Sequence, residues 1–146
     1  MIDLLSDTLP LVRAGAAENL AFLCKNTQKD MLKTKVLPAL LAAMKQENDD
    51  EVKIELVQTL KNCGLAIGQE FFKLVPQIEF GKFMMEGNWR VRKATLEMIT
   101  ELAQGFKTVE LYEVYLQEFF FKYFTDSVHA VREYGNKQLH VITISF

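Results

Sequence analysis

The sequence predicts an all-α superhelix of stacked helix pairs, about three and a half units of roughly 40 residues each. Three observations carry this. A valine followed by a basic residue recurs as Val12-Arg13, Val52-Lys53, Val91-Arg92 and Val131-Arg132, with the valines 40, 39 and 40 residues apart. The residues after each copy fall on one helical stripe. The segments between the copies carry a second amphipathic pattern.

The chain opens on a stub. Ile2, Leu4 and Leu5 are the only apolar residues of a first helix before the turn at Asp7, so the array is expected to begin inside a repeat and to be a piece of a longer one. Helix B of each unit then starts near residues 10, 50, 89 and 129. Ala16, Leu56, Thr95 and Gly135 stand four residues after the valines, Leu20, Leu60, Ile99 and Leu139 eight after, and Leu23, Cys63, Leu102 and Ile142 eleven after. Offsets of four, eight and eleven share a face of a helix with 3.6 residues per turn, so each copy is amphipathic.

The A helices lie between. Leu37, Leu40, Leu41 and Met44 share a face in one; Phe71, Leu74, Val75 and Ile78 in the next; Tyr112, Tyr115, Leu116 and Phe119 in the last. Thr27 with Asp30 is the pattern of a capping box for the first of these. Pro38 and Pro76 sit at equivalent places, where an interior proline removes a hydrogen bond and is expected to bend both helices alike. In the block Phe119, Phe120, Phe121, Tyr123 and Phe124, Phe119, Phe120 and Tyr123 can face helix B, so Phe121 or Phe124 must point elsewhere. Asn136 stands where Ala17, Val57 and Leu96 are apolar, which gives the last helix B a cap-like outer face.

Composition narrows the function. Apolar residues make up 49% of 146 and charged residues 25%, with a net charge of −2. This balance disfavours a phosphate-bearing partner such as nucleic acid or an anionic membrane. No leader or membrane span is legible, and a cytoplasmic or also nuclear location is expected. Cys24 and Cys63 read as small buried residues of a reducing compartment. His129 and His140 have no acidic or cysteine companion at ligand spacing. No phosphate loop or nucleophile elbow is present, so neither metal nor cofactor nor catalysis is expected.

The spacing, the two helices per unit, the proline inside helix A and the aspartates Asp7 and Asp126 five residues ahead of their Val-Arg pairs resemble HEAT repeats. The run Asn88-Trp89-Arg90-Val91-Arg92-Lys93-Ala94, followed by Glu97 and Leu102-Ala103, is similar to repeats of the protein phosphatase 2A scaffold subunit and of protein phosphatase 4 regulatory subunit 1. The resemblance implies a scaffold that holds catalytic or regulatory subunits through a ridge of A–B turns. Carried onto this chain, that ridge is Ser6–Leu9, Glu47–Asp50, Glu86–Arg90 and Asp126–His129. The residues expected to meet a partner are Trp89, Arg90, Glu86, Asn88, Asp49, Asp50 and His129. Trp89 and Arg90 lead because they break the repeat: their counterparts are Pro10 and Leu11, Asp50 and Glu51, His129 and Ala130. The basic residues after the valines are expected to bond turn carbonyls or the acid of a neighbouring turn. Two alternatives stand beside this: a nuclear-transport or chromatin adaptor using the concave helix-B face, and a HEAT-like DNA glycosylase arranged around Trp89, Arg92 and Glu97.

Overall fold

In a computed structural model of the chain, which describes residues 1–75, 77–106 and 117–145, all regular backbone is helical and no strand occurs among those residues. The chain divides into two compact units, Met1–Leu74 and Val75–Phe146.

In the first unit a short 3₁₀ turn, Ile2–Ser6, stands in for a first A helix. Helix α1, Pro10–Leu23, starts on a proline at its first turn, where the missing N–H costs nothing. It tightens into a 3₁₀ turn at Cys24–Asn26. The next A helix is assembled from α2 (Lys29–Met31), a π turn (Leu32–Val36) and α3 (Leu37–Gln46). Pro38 lies in the first turn of α3, directly after the π turn. The wider loop relieves the ring where it would meet the carbonyl four residues back. Pro76, its expected counterpart, lies outside the described residues. Helix α4, Asp50–Ile67, is capped by Asp49, whose side chain accepts from the amides of Glu51 and Val52, and carries Asp50 and Glu51 at the positive end of its dipole. It stops at Gly68, whose φ of 91° suits glycine and strains other residues. A short helix α5, Phe71–Leu74, closes the unit.

The expected capping box is not formed. Thr27 Oγ1 donates to the Leu23 carbonyl at 2.8 Å, closing the helix behind it, and Gln28 begins the next helix without a side-chain cap. The core stripe of α1 also shifts by one residue at its end. Leu23 is 41% exposed while Cys24 is buried, because Cys24 continues the Ala16–Leu20 series at four-residue steps with its amide still on the Leu20 carbonyl, and Leu23 falls at the edge of that face. Cys24 and Cys63 meet in the core, thiol to thiol, and the pairing together with burial pushes the Cys63 thiol up. The other central positions, Ala16, Ala17, Leu20, Leu40, Met44, Val52, Leu56, Val57 and Leu60, are buried as the stripe requires. Thr59 is buried too, and donates its hydroxyl to the Ala17 carbonyl across the α1–α4 contact at 2.8 Å.

The second unit contains α6 (Gln77–Met84), α7 (Trp89–Phe106), α8 (Gln117–Phe124) and α9 (His129–Ser145). Tyr112, Tyr115 and Leu116 lie outside the described residues, as do the side chains of Ile78 and Ile142. Leu74, expected on the core face of its A helix, is 42% exposed, because only one helical turn forms there. The aromatic block divides as the helical period demands: Phe119, Phe120 and Tyr123 are buried, and Phe121 is 68% exposed. At Gly135 α9 sits against Leu96 of α7 and against Tyr123 and Phe124 of α8. Glu133, Asn136, Lys137 and His140 are exposed, giving α9 a polar outer face opposite the buried Val131 and Gly135.

Tyr123 brings a polar atom into this core. Its hydroxyl is fully buried with no hydrogen-bond partner among the described residues, and burial pushes its ionisation well above the ordinary phenol range. An unsatisfied buried hydroxyl costs about 1–3 kcal/mol. Tyr123→Phe is therefore expected to leave stability unchanged or raise it by about 1 kcal/mol in urea unfolding. A loss of that size would show that the hydroxyl is bonded after all.

Candidate functional site

The turns between A and B helices are built by one repeated device. In the first unit Arg13 donates from Nε to Glu47 Oε2 at 2.7 Å and from Nη2 to Glu47 Oε1 at 2.8 Å. Its remaining terminal nitrogen, Nη1, reaches the carbonyls of Asp7 and Thr8 at 2.8 and 3.2 Å. In the second unit Arg92 does the same thing. It holds Asp126 through Nε at 2.7 Å and Nη2 at 2.9 Å, and the carbonyls of Glu86 and Gly87 through Nη1 at 2.8 and 2.9 Å. In both cases arginine and acid are 34 residues apart. The fork geometry matches a carboxylate with two parallel bonds and leaves the third nitrogen for the arginine's own turn.

The acids are fixed from their other side. Glu47 Oε1 accepts from the amides of Asn48 and Asp49 at 3.0 and 2.9 Å, and Asp126 Oδ1 from that of Val128 at 2.8 Å. Each joint therefore ties an arginine's own turn to the turn one repeat further on. The ladder role expected of the basic residues is realised at Arg13 and Arg92. Lys53, which lacks the fork, approaches Asp50 in its own helix at 3.8 Å. Sequence reasoning misses Glu47 as the acid of its turn, although it stands five residues before Val52 as Asp126 stands before Val131. The signal is present, but a glutamate replaces the aspartate.

With the framework residues engaged, the seven candidate contact residues can be placed. Asn88 is structural: its Oδ1 accepts the Arg90 amide at 2.9 Å and starts α7. Glu86 gives its carbonyl to Arg92. Asp49 caps α4, and Asp50 sits in the first turn beside Lys53. His129 projects from the first turn of α9 with its side chain 79% exposed, 3.9 Å from Glu133, so contrary to expectation it has an acidic companion one helical turn on. Trp89 is 39% exposed at the first position of α7, and Arg90 beside it is exposed. The Arg92–Asp126 joint brings the turn of Trp89, Arg90, Glu86 and Asn88 together with the turn of His129. In the first unit the Arg13–Glu47 joint brings the Asp7 turn to the Asp49-Asp50 turn.

Charge differs between the two groups of turns. Glu18, Glu51 and Glu55 lie on the α1 and α4 side, and burial plus the other two charges hold the Glu55 carboxyl above its usual range. The second unit instead pairs Lys93 with Glu97 at 2.9 Å, and that lysine lies 5.1 Å from the Tyr134 ring centre. Among the described residues no helix is long and apolar enough to cross a membrane, and no cluster of histidine, cysteine and acidic residues is placed to hold a metal.

No protein-family model and no curated protein matches the sequence. The backbone is similar to two crystal structures of engineered proteins. One gives a TM-score of 0.64 at 17% identity, covering 99% of this chain and 66% of that one. The other gives 0.63 at 19% identity, covering 97% of this chain and 36% of that one. The chain thus spans less than two thirds of either, and at these identities the likeness concerns the all-helical fold alone.

The joints make a pH prediction. Arginine bonding holds the carboxyls of Glu47 and Asp126 below their ordinary values of 4.5 and 3.8, against an opposing push from burial. A carboxyl depressed in the folded state contributes stability that is full above its unfolded value and is lost as pH falls through the folded one. The melting temperature should thus fall below about pH 4.5 on account of these groups. Asp126→Asn, whose Oδ1 can still accept the Val128 amide, should melt lower at neutral pH and with a shallower acid slope. Parallel curves for the two proteins would rule out this contribution.

Proposed function

We propose that this chain is a HEAT-type solenoid that binds other proteins through its A–B turns, as a scaffold or regulatory element of a phosphatase 2A-like complex. It works by holding its partner and not by chemistry of its own. The observation that carries this reading is Trp89. Its turn is already fixed by Asn88, Arg92 and Asp126, and a tryptophan is not needed for that framework. It nevertheless keeps a third or more of its surface in solvent. Partly exposed tryptophan beside arginine is the composition of interface hot spots, where a large rigid side chain fills a partner's pocket.

Two further features support it. The 34-residue arginine–acid joint occurs once in each unit and ties two turns together there, which supports turns as rigid contact points. His129, on the turn joined to that of Trp89, extends the same surface.

The glycosylase alternative draws no support from the geometry. Arg92 has all three of its nitrogens in the joint, and Glu97 is paired with Lys93, so neither is poised for a DNA lesion.

The test is binding of this chain to a phosphatase 2A-like catalytic subunit, by calorimetry or surface capture. Trp89→Ala with Arg90→Ala should weaken binding by about tenfold or more, the scale of a hot-spot truncation, while leaving helicity and melting temperature within experimental error. Unchanged affinity in that variant would remove these turns as the contact. Failure of the parent chain to bind would remove the phosphatase assignment.

A further inference from the structure

Cys24 and Cys63 are the chain's two cysteines, and the first unit buries them against one another. The packing of α1 on α4 sets their register. Thr59 of α4 donates to the Ala17 carbonyl at 2.8 Å, and helix geometry aims that carbonyl along α1 toward the level of Ala21. Cys63 stands one turn beyond Thr59, and Cys24 about one turn beyond Ala21. The two thiols therefore come opposite one another across the seam, within hydrogen-bonding reach. Closing that contact to a covalent bond is a step that side-chain rotation can supply.

The two sulfurs are not equivalent. A cleft of about 330 Å³ between the end of α1 and α4 has Cys24, Lys25, Lys29, Asn62 and Leu65 on its wall, and Cys63 is not part of that wall. Such a space admits molecules of the size of water or hydrogen peroxide. The hydrogen bond from Cys63 also lowers the Cys24 thiol, against the opposing push of burial. The sulfur that borders the cleft is thus the better nucleophile of the pair.

We infer that Cys24 and Cys63 form a modification site, oxidised by a peroxide to a reversible disulfide within the chain. Cys24 Sγ attacks one peroxide oxygen, the O–O bond breaks, and the thiol proton leaves with the departing hydroxide as water. Cys24 is then a sulfenic acid. Cys63 Sγ attacks the Cys24 sulfur, the S–O bond breaks, and the Cys63 proton joins the departing hydroxide as a second water. Two thiols have lost two electrons, and one peroxide has been reduced to two waters. The bond ties α1 to α4, and a thiol reductant removes it by exchange. This site lies in the first unit and is independent of partner binding at Trp89.

The test is thiol counting on the folded chain after exposure to hydrogen peroxide, followed by denaturation and alkylation. The untreated chain should take up two alkyl groups and the treated chain none, with peptide mapping joining Cys24 to Cys63 in a protein of monomer mass. Dithiothreitol should restore both thiols. The oxidised form should melt about 5–10 °C higher, because the cross-link closes a long loop in the unfolded chain. With peroxide and dimedone, Cys63→Ala should be trapped as a sulfenic acid at Cys24, and Cys24→Ala should stay unlabelled. Treated parent chain that still takes up two alkyl groups overturns the inference. So does a disulfide found only between chains, or Cys24 carried on to the sulfinic acid without bridging. Dimedone labelling at Cys63 in Cys24→Ala, with none at Cys24 in Cys63→Ala, overturns the order of attack. The alkylation count on the parent decides the matter even where a variant folds poorly.

Discussion

A helix pair with one apolar stripe must be covered by the next pair, but the hydrophobic effect does not say at what angle or offset. In this chain the arginine–carboxylate joint supplies that information. Arg13 and Arg92 each hold a carboxylate with two parallel bonds and their own turn with a third nitrogen. A rigid planar fork tolerates little rotation, so the following turn is located to within the tolerance of a short hydrogen bond. Packing then follows the register so fixed: Thr59 meets the Ala17 carbonyl in one unit, and Leu96 meets Gly135 in the other.

The same economy leaves one large side chain outside the framework. The polar groups that shape the Asn88 turn are the Asn88 cap, the Glu86 and Gly87 carbonyls, Arg92 and Asp126. Trp89 supplies none of these side-chain bonds. A large aromatic residue on a rigid turn loses little freedom when it is captured, which makes it effective for recognition. In the first unit the charges of Glu18 and Glu51, with burial, raise the Glu55 carboxyl, so acidic groups gather on that side of α1 and α4.

Much of this is legible in the sequence because it repeats. The valine–basic spacing locates all four B helices, whose observed starts at Pro10, Asp50, Trp89 and His129 match it. Helical geometry alone sorts Phe119, Phe120 and Tyr123 from Phe121. What fails is local and singular. Thr27 and Asp30 have the letters of a capping box, but the threonine bonds to the preceding helix instead. Leu23 and Cys24 exchange roles because the buried face of α1 runs through Ala16, Leu20 and Cys24 at four-residue steps, whereas the offset of eleven shared by the repeats points to Leu23. The Cys24–Cys63 contact is hidden from the repeat alignment, which sets Cys63 against Leu23 and not against Cys24. Glu47 escapes notice as a joint acid when the repeat is read by residue identity, whereas the joint needs only a carboxylate within reach.

If the joint sets the stacking, the guanidinium and the carboxylate must act on one another and not merely lie adjacent. A double-mutant cycle on Arg92→Met and Asp126→Asn, followed by urea unfolding, measures that directly. The expected coupling is about 1.5–3 kcal/mol, the range for hydrogen bonds to charged groups. A coupling below about 0.5 kcal/mol, the limit within which independent sites add, would mean that the turns are set by packing alone and that the joint is a passenger.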